Sequence, residues 1–116
     1  MVRIKRAYAP ALPEDGTRVL VDRLWPRGLA KDAAAVDLWL KEVAPSKELR
    51  QWFGHDPARW KSFSAKYRTE LKAPERAAAL AHLRALGRER GTVTLLYGAR
   101  EETYNHAALL RGLLRK

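Results

Sequence analysis

Two groups of residues in this 116-residue chain have the types and spacing to do chemistry. The first is Asp22, Arg23, Trp25 and Arg27, directly after the apolar run Val19-Leu20-Val21. Two arginines a few positions apart at a strand exit can hold an anion bidentately, which lysine cannot do. Pro26 stiffens the backbone between them and Gly28 permits close approach. Asp22 can orient an arginine or act as a base. The same residues also suit an internal Asp–Arg ion pair with a tryptophan packed under a turn, and both readings stand. The second group is Tyr97, Arg100, Asn105 and His106, after the apolar run Val93 to Leu96. A strand that runs into a helix N-terminus makes an anion cradle, because free N–H groups and the positive dipole end converge there. His106 is expected about three residues inside that helix, where the positive end favours a neutral ring that acts as donor or base. The competing reading is a half-exposed histidine beside a helix cap.

Other chemistry-bearing residues have a structural reading at hand. His55-Asp56 suits a metal or acid–base pair, but Asp56 followed by Pro57 is also a strong helix start. Lys47 near a helix start is equally two-sided. Trp39, Trp52 and Trp60 fall on apolar helical faces and are expected in the core; stacking on a base would require them to be exposed. The phosphate-binding loops G-x-x-x-x-G-K-[ST] and G-x-G-x-x-G do not occur. There is no H-E-x-x-H, no nucleophile elbow around Ser62 or Ser64, and no carboxylate pair suited to glycoside chemistry. No metal and no cofactor is expected.

These residues need elements to position them. Val2 to Tyr8 alternates apolar and basic residues as a strand does. Ala9 to Gly16, with Pro10, Pro13 and Gly16, is a connector, short for the crossover of a parallel pair. Arg18 to Leu24 is the second strand. Ala33 to Val43 carries Val36, Trp39, Leu40 and Val43 at helical spacing, and Pro45 stops it. Ser46 caps a short helix with Leu49, Trp52 and Phe53 that Gly54 ends. Asp56-Pro57 opens a helix that buries Trp60, Phe63, Tyr67 and Leu71. Pro74 opens another with Leu80, Leu83 and Leu86, closed by Gly87 and Gly91. Thr92 to Tyr97 is an interior strand, and Thr103 is the expected cap of the last helix.

Length and composition set the bounds. A chain of 116 residues is a single domain by default. Its hydrophobic fraction of 47% and four Trp support a real core over disorder. It has no Cys, which rules out disulfides, thiolate nucleophiles and thiolate zinc sites. No signal-peptide core and no membrane-length apolar run appear, so a cytoplasmic protein without membrane contact is expected. The net charge of +10 attracts nucleic acid and phosphorylated metabolites alike, but lysines and arginines are spread along the chain with acids close by.

Three blocks, VLVDRLWPRG (Val19 to Gly28), APSxxLRxWFxHDPARWxxFxxxYxxEL (Ala44 to Leu71) and VTLLYGAR followed four residues later by NHA (from Val93), together resemble the YeaO-like branch of the domain-of-unknown-function family 488. The resemblance spans almost the whole chain. It implies a three-layer α/β fold with a small, mainly parallel sheet of about three to four strands flanked by about five helices. It also places Arg23, Trp25, Pro26, Arg27, His55, Asn105 and His106 at recurrent motif positions of the family. One departure stands out. The broader family often has a Cys where this chain has Tyr97, and a Cys-His-Arg triplet near Asn105 and His106. Thiol or metal chemistry of such relatives therefore does not carry over.

The expectation is a pocket where the second and last strands end. Asp22 or His106 serves as base, and Arg23, Trp25, Arg27, Tyr97, Arg100 and Asn105 hold an anionic small molecule through its phosphate or carboxylate. Hydrolysis or transfer at phosphate is the reaction class, if there is one. The alternative is a nucleic-acid-binding module using a diffuse basic surface, and a third reading makes the arginine cluster a purely structural network.

Overall fold

Strand β4 (Val93–Tyr97) is the axis of the molecule: all five of its residues are buried and it pairs on both edges. The computed structural model describes residues 1–115. Strand β1 (Val2–Arg6) lies parallel to β4, with Val2 opposite Val93 and Arg6 opposite Tyr97. Strand β2 (Thr17–Leu20) lies parallel on the other edge, with Thr17 opposite Val93 and Leu20 opposite Leu96. The short β3 (Leu38–Trp39) pairs parallel with Val19 and Leu20, which gives the order β1-β4-β2-β3. The sheet is therefore parallel throughout and the fold is α/β. β1 and β2 are not neighbours, since β4 lies between them. The connector 7–16 thus spans two strand spacings plus the length of the sheet, within reach of a chain that extends about 3.3 Å per residue.

Alternation along the strands divides the core. Val19, Val21, Val93, Leu95 and Tyr97 face the larger cluster, which takes in α2 (Lys47–Phe53), α3 (Trp60–Glu70), α4 (Pro74–Arg90) and α5 (His106–Leu114). Leu20 and Leu96 face the opposite way, against Ala7, Trp25, Leu29 and Val36. Helix α1 (Lys31–Ala34) lies on that second face, where Arg18 donates to the carbonyls of Ala34 and Ala35. One layer is thus a thick stack of four helices and the other a single turn of helix plus the Trp25 loop. No helix among the described residues is long and apolar enough to cross a membrane.

Several expected boundaries move. The helix expected over Ala33 to Val43 is absent. Helix α1 ends at Ala34, Ala35 turns left-handed at φ 47, and the chain enters β3 before a 3-10 turn at Lys41–Val43. The open edge of β2 is the cause. Asp37 and Leu40 donate their N–H groups to Arg18 and Leu20 carbonyls at 2.9 and 2.8 Å, and strand pairing overrides the helical spacing. Trp39 and Trp52, expected in the core, are 36% and 37% exposed. The second strand ends at Leu20 and not Leu24. Helix α4 runs through Gly87 to Arg90. The Asp56-Pro57 start first makes a 3-10 turn, Pro57–Arg59, before α3 begins at Trp60. Ser46 and Gly54 bound α2 as expected.

Below the amino end of the sheet lies a buried ion network. Asp15 and Arg18 are each 3% exposed. Asp15 accepts from Arg18 Nη1 at 2.6 Å, from Lys5 Nζ and from the Leu12 N–H, and Thr94 Oγ1 donates to its carbonyl. Gly16, at φ 64, makes the turn that carries Asp15 under the sheet; a Cβ there would sit 2.2 Å from the Thr92 carbonyl oxygen. Burial alone raises the Asp15 carboxyl, but the Leu12 N–H, Lys5 and Arg18 outweigh it and hold the group below its ordinary value. A carboxyl depressed by folding adds stability that is complete above its unfolded pKa of about 3.9 and is lost as pH falls through the folded value. Urea unfolding across a pH series is therefore expected to show a steeper acid loss in the native chain than in Asp15→Asn. Asp15→Ala, which leaves Arg18 buried without its carboxylate, is expected to cost about 3–5 kcal/mol at neutral pH. Equal acid slopes in the native chain and Asp15→Asn would contradict this account.

Candidate functional site

Chain direction makes a crevice at the carboxyl ends of β2 and β4. From β2 the chain turns towards β3; from β4 it turns the other way, into α5, which packs on β1. Neighbouring parallel strands whose connections diverge leave a gap where α/β proteins bind ligands. Asp22 crosses that gap. Its Oδ2 accepts the Gly98 N–H at 2.8 Å. Gly98 permits this approach, because a Cβ there would lie 3.0 Å from the same oxygen and 3.4 Å from Pro26 Cβ. The Trp39 indole N–H donates to the Asp22 carbonyl at 2.7 Å and braces the turn from outside.

Helix α5 brings the histidine. Asn105, not Thr103, is its cap: Asn105 Oδ1 accepts the Ala108 N–H and Nδ2 donates to the Glu101 carbonyl, both at 2.9 Å. Glu101 closes the preceding turn, and the Thr103 and Tyr104 N–H groups hold its carboxyl below the usual range. His106 is the first helical residue rather than the third or fourth. Its Nε2 lies 3.0 Å from the Val21 carbonyl oxygen and 3.3 Å from Asp22 Oδ1. A carbonyl only accepts, so Nε2 carries a proton, and Nδ1 is the ring nitrogen that neither Val21 nor Asp22 engages. The ring stands edge-on to Tyr67, whose hydroxyl donates to the Val43 carbonyl at 2.6 Å. Burial pushes the Tyr67 phenol well above its ordinary value, so it stays neutral.

These groups wall a cavity of about 250 Å³. Asp22, Arg23, Arg50, His55, Asn105 and His106 supply its polar lining, and Ala44, Pro45, Phe53, Phe63, Gly98 and Ala99 the rest. Phe53 and Phe63 stack at 4.3 Å. The Nε of Arg23 is buried and has no hydrogen-bond partner among the described residues. Asp22 Oδ1 is likewise without a hydrogen bond, although His106 lies within ion-pair distance, because the Nε2 proton is directed at Val21.

The chain matches, over residues 1–116, the family model described as the inactive DUF488-N3 subclade. The chain belongs to this family. An uncharacterised protein of Mycobacterium tuberculosis is 48% identical over 113 residues, 97% of this chain and 92% of that protein. The uncharacterised protein YeaO of Escherichia coli is 42% identical over 118 residues, covering 98% and 96% of the two chains. No solved structure matches.

Within this DUF488-N3 framework the expected site residues divide. Asp22 and His106, named from separate motifs, meet at 3.3 Å, and Arg23 and Asn105 share their cavity. Trp25, Arg27, Tyr97 and Arg100 are not in its lining. Trp25 packs on the opposite face of the sheet, edge-on to Trp39 at 5.5 Å, with its indole donating to the Leu29 carbonyl. Arg27 is exposed, and what holds its turn is its carbonyl, which accepts from Tyr8 Oη at 2.7 Å. Tyr97 is 3% exposed in the main core, and burial raises its phenol. Arg100 is exposed on the loop. No sequence motif marks Arg50 as a site residue, and the helix-start signal at Asp56-Pro57 accounts for Asp56 but not for His55. Asp56 does cap, accepting from the Ala58 N–H. Yet His55 takes a left-handed φ of 57, uncommon for a non-glycine residue, and lines the cavity.

Two measurements check this geometry. Long-range proton–nitrogen correlation spectra of the neutral His106 ring are expected to show the Nε2–H tautomer; an Nδ1–H tautomer would contradict the bond to Val21. Asn105→Ala is expected to cost about 1 kcal/mol in thermal unfolding through the lost cap, and an unchanged midpoint would show that the cap contributes nothing.

Proposed function

We propose that the cavity binds a small molecule through an anionic group, a phosphate or a carboxylate. The observation that carries the reading is Arg23, a residue of the cavity lining whose buried Nε no group among the described residues satisfies. A buried charged donor without a partner is costly, and an anionic ligand removes that cost. The neighbouring carboxylate does not do so: Asp22 is held by Gly98 and faces His106. Arg50 adds a second guanidinium and His55 an imidazole at the exposed side. The Phe53–Phe63 stack gives the rest of the ligand an apolar wall.

Recognition without turnover is the form of this proposal. Among the described residues no Ser, Thr or Lys lines the cavity, and the chain has no Cys. Membership of a subclade described as inactive points the same way. The nearness of Asp22 to His106 favours a second reading, proton transfer during hydrolysis or transfer at a phosphate, with the Val21 carbonyl orienting the ring and the Asp22 carboxylate beside it. The compartment proposed with this reading is the cytoplasm, where small phosphorylated molecules are abundant.

Calorimetric titration with inorganic phosphate and with small carboxylates tests the proposal. Arg23→Ala is expected to cost about 1.5–3 kcal/mol of binding, the range for a hydrogen bond to a charged group. Arg27→Ala and Arg100→Ala, outside the cavity, are expected to change it by less than about 0.5 kcal/mol. A folded Arg23→Ala protein with unchanged affinity would overturn the assignment.

A further inference from the structure

Two consecutive residues of the cavity lining each bury a polar atom that has no hydrogen-bond partner among the described residues, and the two atoms are of opposite kind. Arg23 Nε is a donor without an acceptor, and Asp22 Oδ1 is an acceptor without a donor. The other Asp22 oxygen already takes the Gly98 N–H, and the nearest proton, on His106 Nε2, is spent on Val21. The Asp22 side chain remains 20% exposed and lines the cavity. A ligand that satisfies both residues must accept from Arg23 and donate to Asp22. A fully ionised anion can do only the first, and it meets a second negative charge at Asp22 with no proton between them.

We propose that the cavity selects a phosphoryl group that still carries a proton over a fully ionised anion of the same shape, with Asp22 as the specificity-determining residue. The inference rests on the anion-binding reading above. Phosphate and sulfate are both tetrahedral oxyanions and differ in what this site reads: phosphate keeps a proton near neutrality and sulfate does not. Asp22 accepts that proton's hydrogen bond, and Arg23 and Arg50 contact the ionised oxygens. A buried polar group left unpaired by the wrong ligand is the main source of such discrimination.

The test is calorimetric titration of the full chain with sodium phosphate and with sodium sulfate, at one pH just below neutrality and one ionic strength. Phosphate is expected to bind at least about tenfold more tightly, the lower end of what an unpaired charged group costs. In Asp22→Asn the amide oxygen can still accept from Gly98, while its NH2 group replaces the acceptor with a donor. Sulfate is then expected to tighten and phosphate to weaken until the two affinities agree within about threefold, a residue of less than one hydrogen bond. Equal binding of both anions by the native chain would overturn the selection and leave the anion pocket standing. Binding of neither would remove the pocket reading itself. The native comparison decides even where Asp22→Asn does not fold.

Discussion

The carboxylate of Asp22 holds together three segments that the chain brings from far apart. Its own residue stands two positions past the end of β2, Gly98 follows β4, and His106 begins α5. Each link depends on a local feature of the sequence. Val19 to Val21 is apolar enough to run through the interior and deliver Asp22 at the edge of the sheet. Gly98 has no Cβ to keep the carboxylate away. Asn105 caps α5 and sets the helix start so that His106 reaches the Val21 carbonyl. Moving any one of them would open the crevice or fill it.

The two ends of the parallel sheet do different work. At the amino end, Asp15, Arg18, Lys5 and Thr94 satisfy one another in a buried network, with Asp15 accepting from four groups counting the one at its carbonyl. Such a closed set of charges contributes to folding and offers nothing to a ligand. At the carboxyl end, Asp22 and Arg23 each keep one buried polar atom unpaired. Unsatisfied polar atoms are few in native proteins and call for an explanation, and the anion we propose for the cavity would supply one. The thick helical layer provides the rest of the wall, since Arg50 and Phe53 come from α2 and Phe63 from α3.

Much of this could be read from local pattern. An apolar run that breaks into Asp-Arg, and another that breaks into Gly-Ala-Arg before a capped helix, marked both strand exits and both partners of the Asp22–His106 pair. What local pattern does not carry is direction. Arg27 and Arg100 sit in the same short motifs as Arg23 and Asn105, yet the turn after Pro26 and the loop after Gly98 leave both in solvent. Arg50 has no motif of its own, and only the packing of α2 against the core brings it to the cavity. The stretch around Trp39 shows a further limit: its spacing suits a helix, but the unpaired edge of β2 supplied hydrogen bonds that a helix there would have left unmade.

The proposed anion site lies inside the crevice bridged by Asp22 and not on the diffuse basic surface, and arginine Nε–H resonances followed during titration with inorganic phosphate distinguish the two. The Arg23 Nε–H is expected to shift strongly and saturably, together with the Gly98 amide, while Arg27 and Arg100 stay still. Weak, unsaturable shifts spread over the exposed arginines, with Arg23 unmoved, would contradict it.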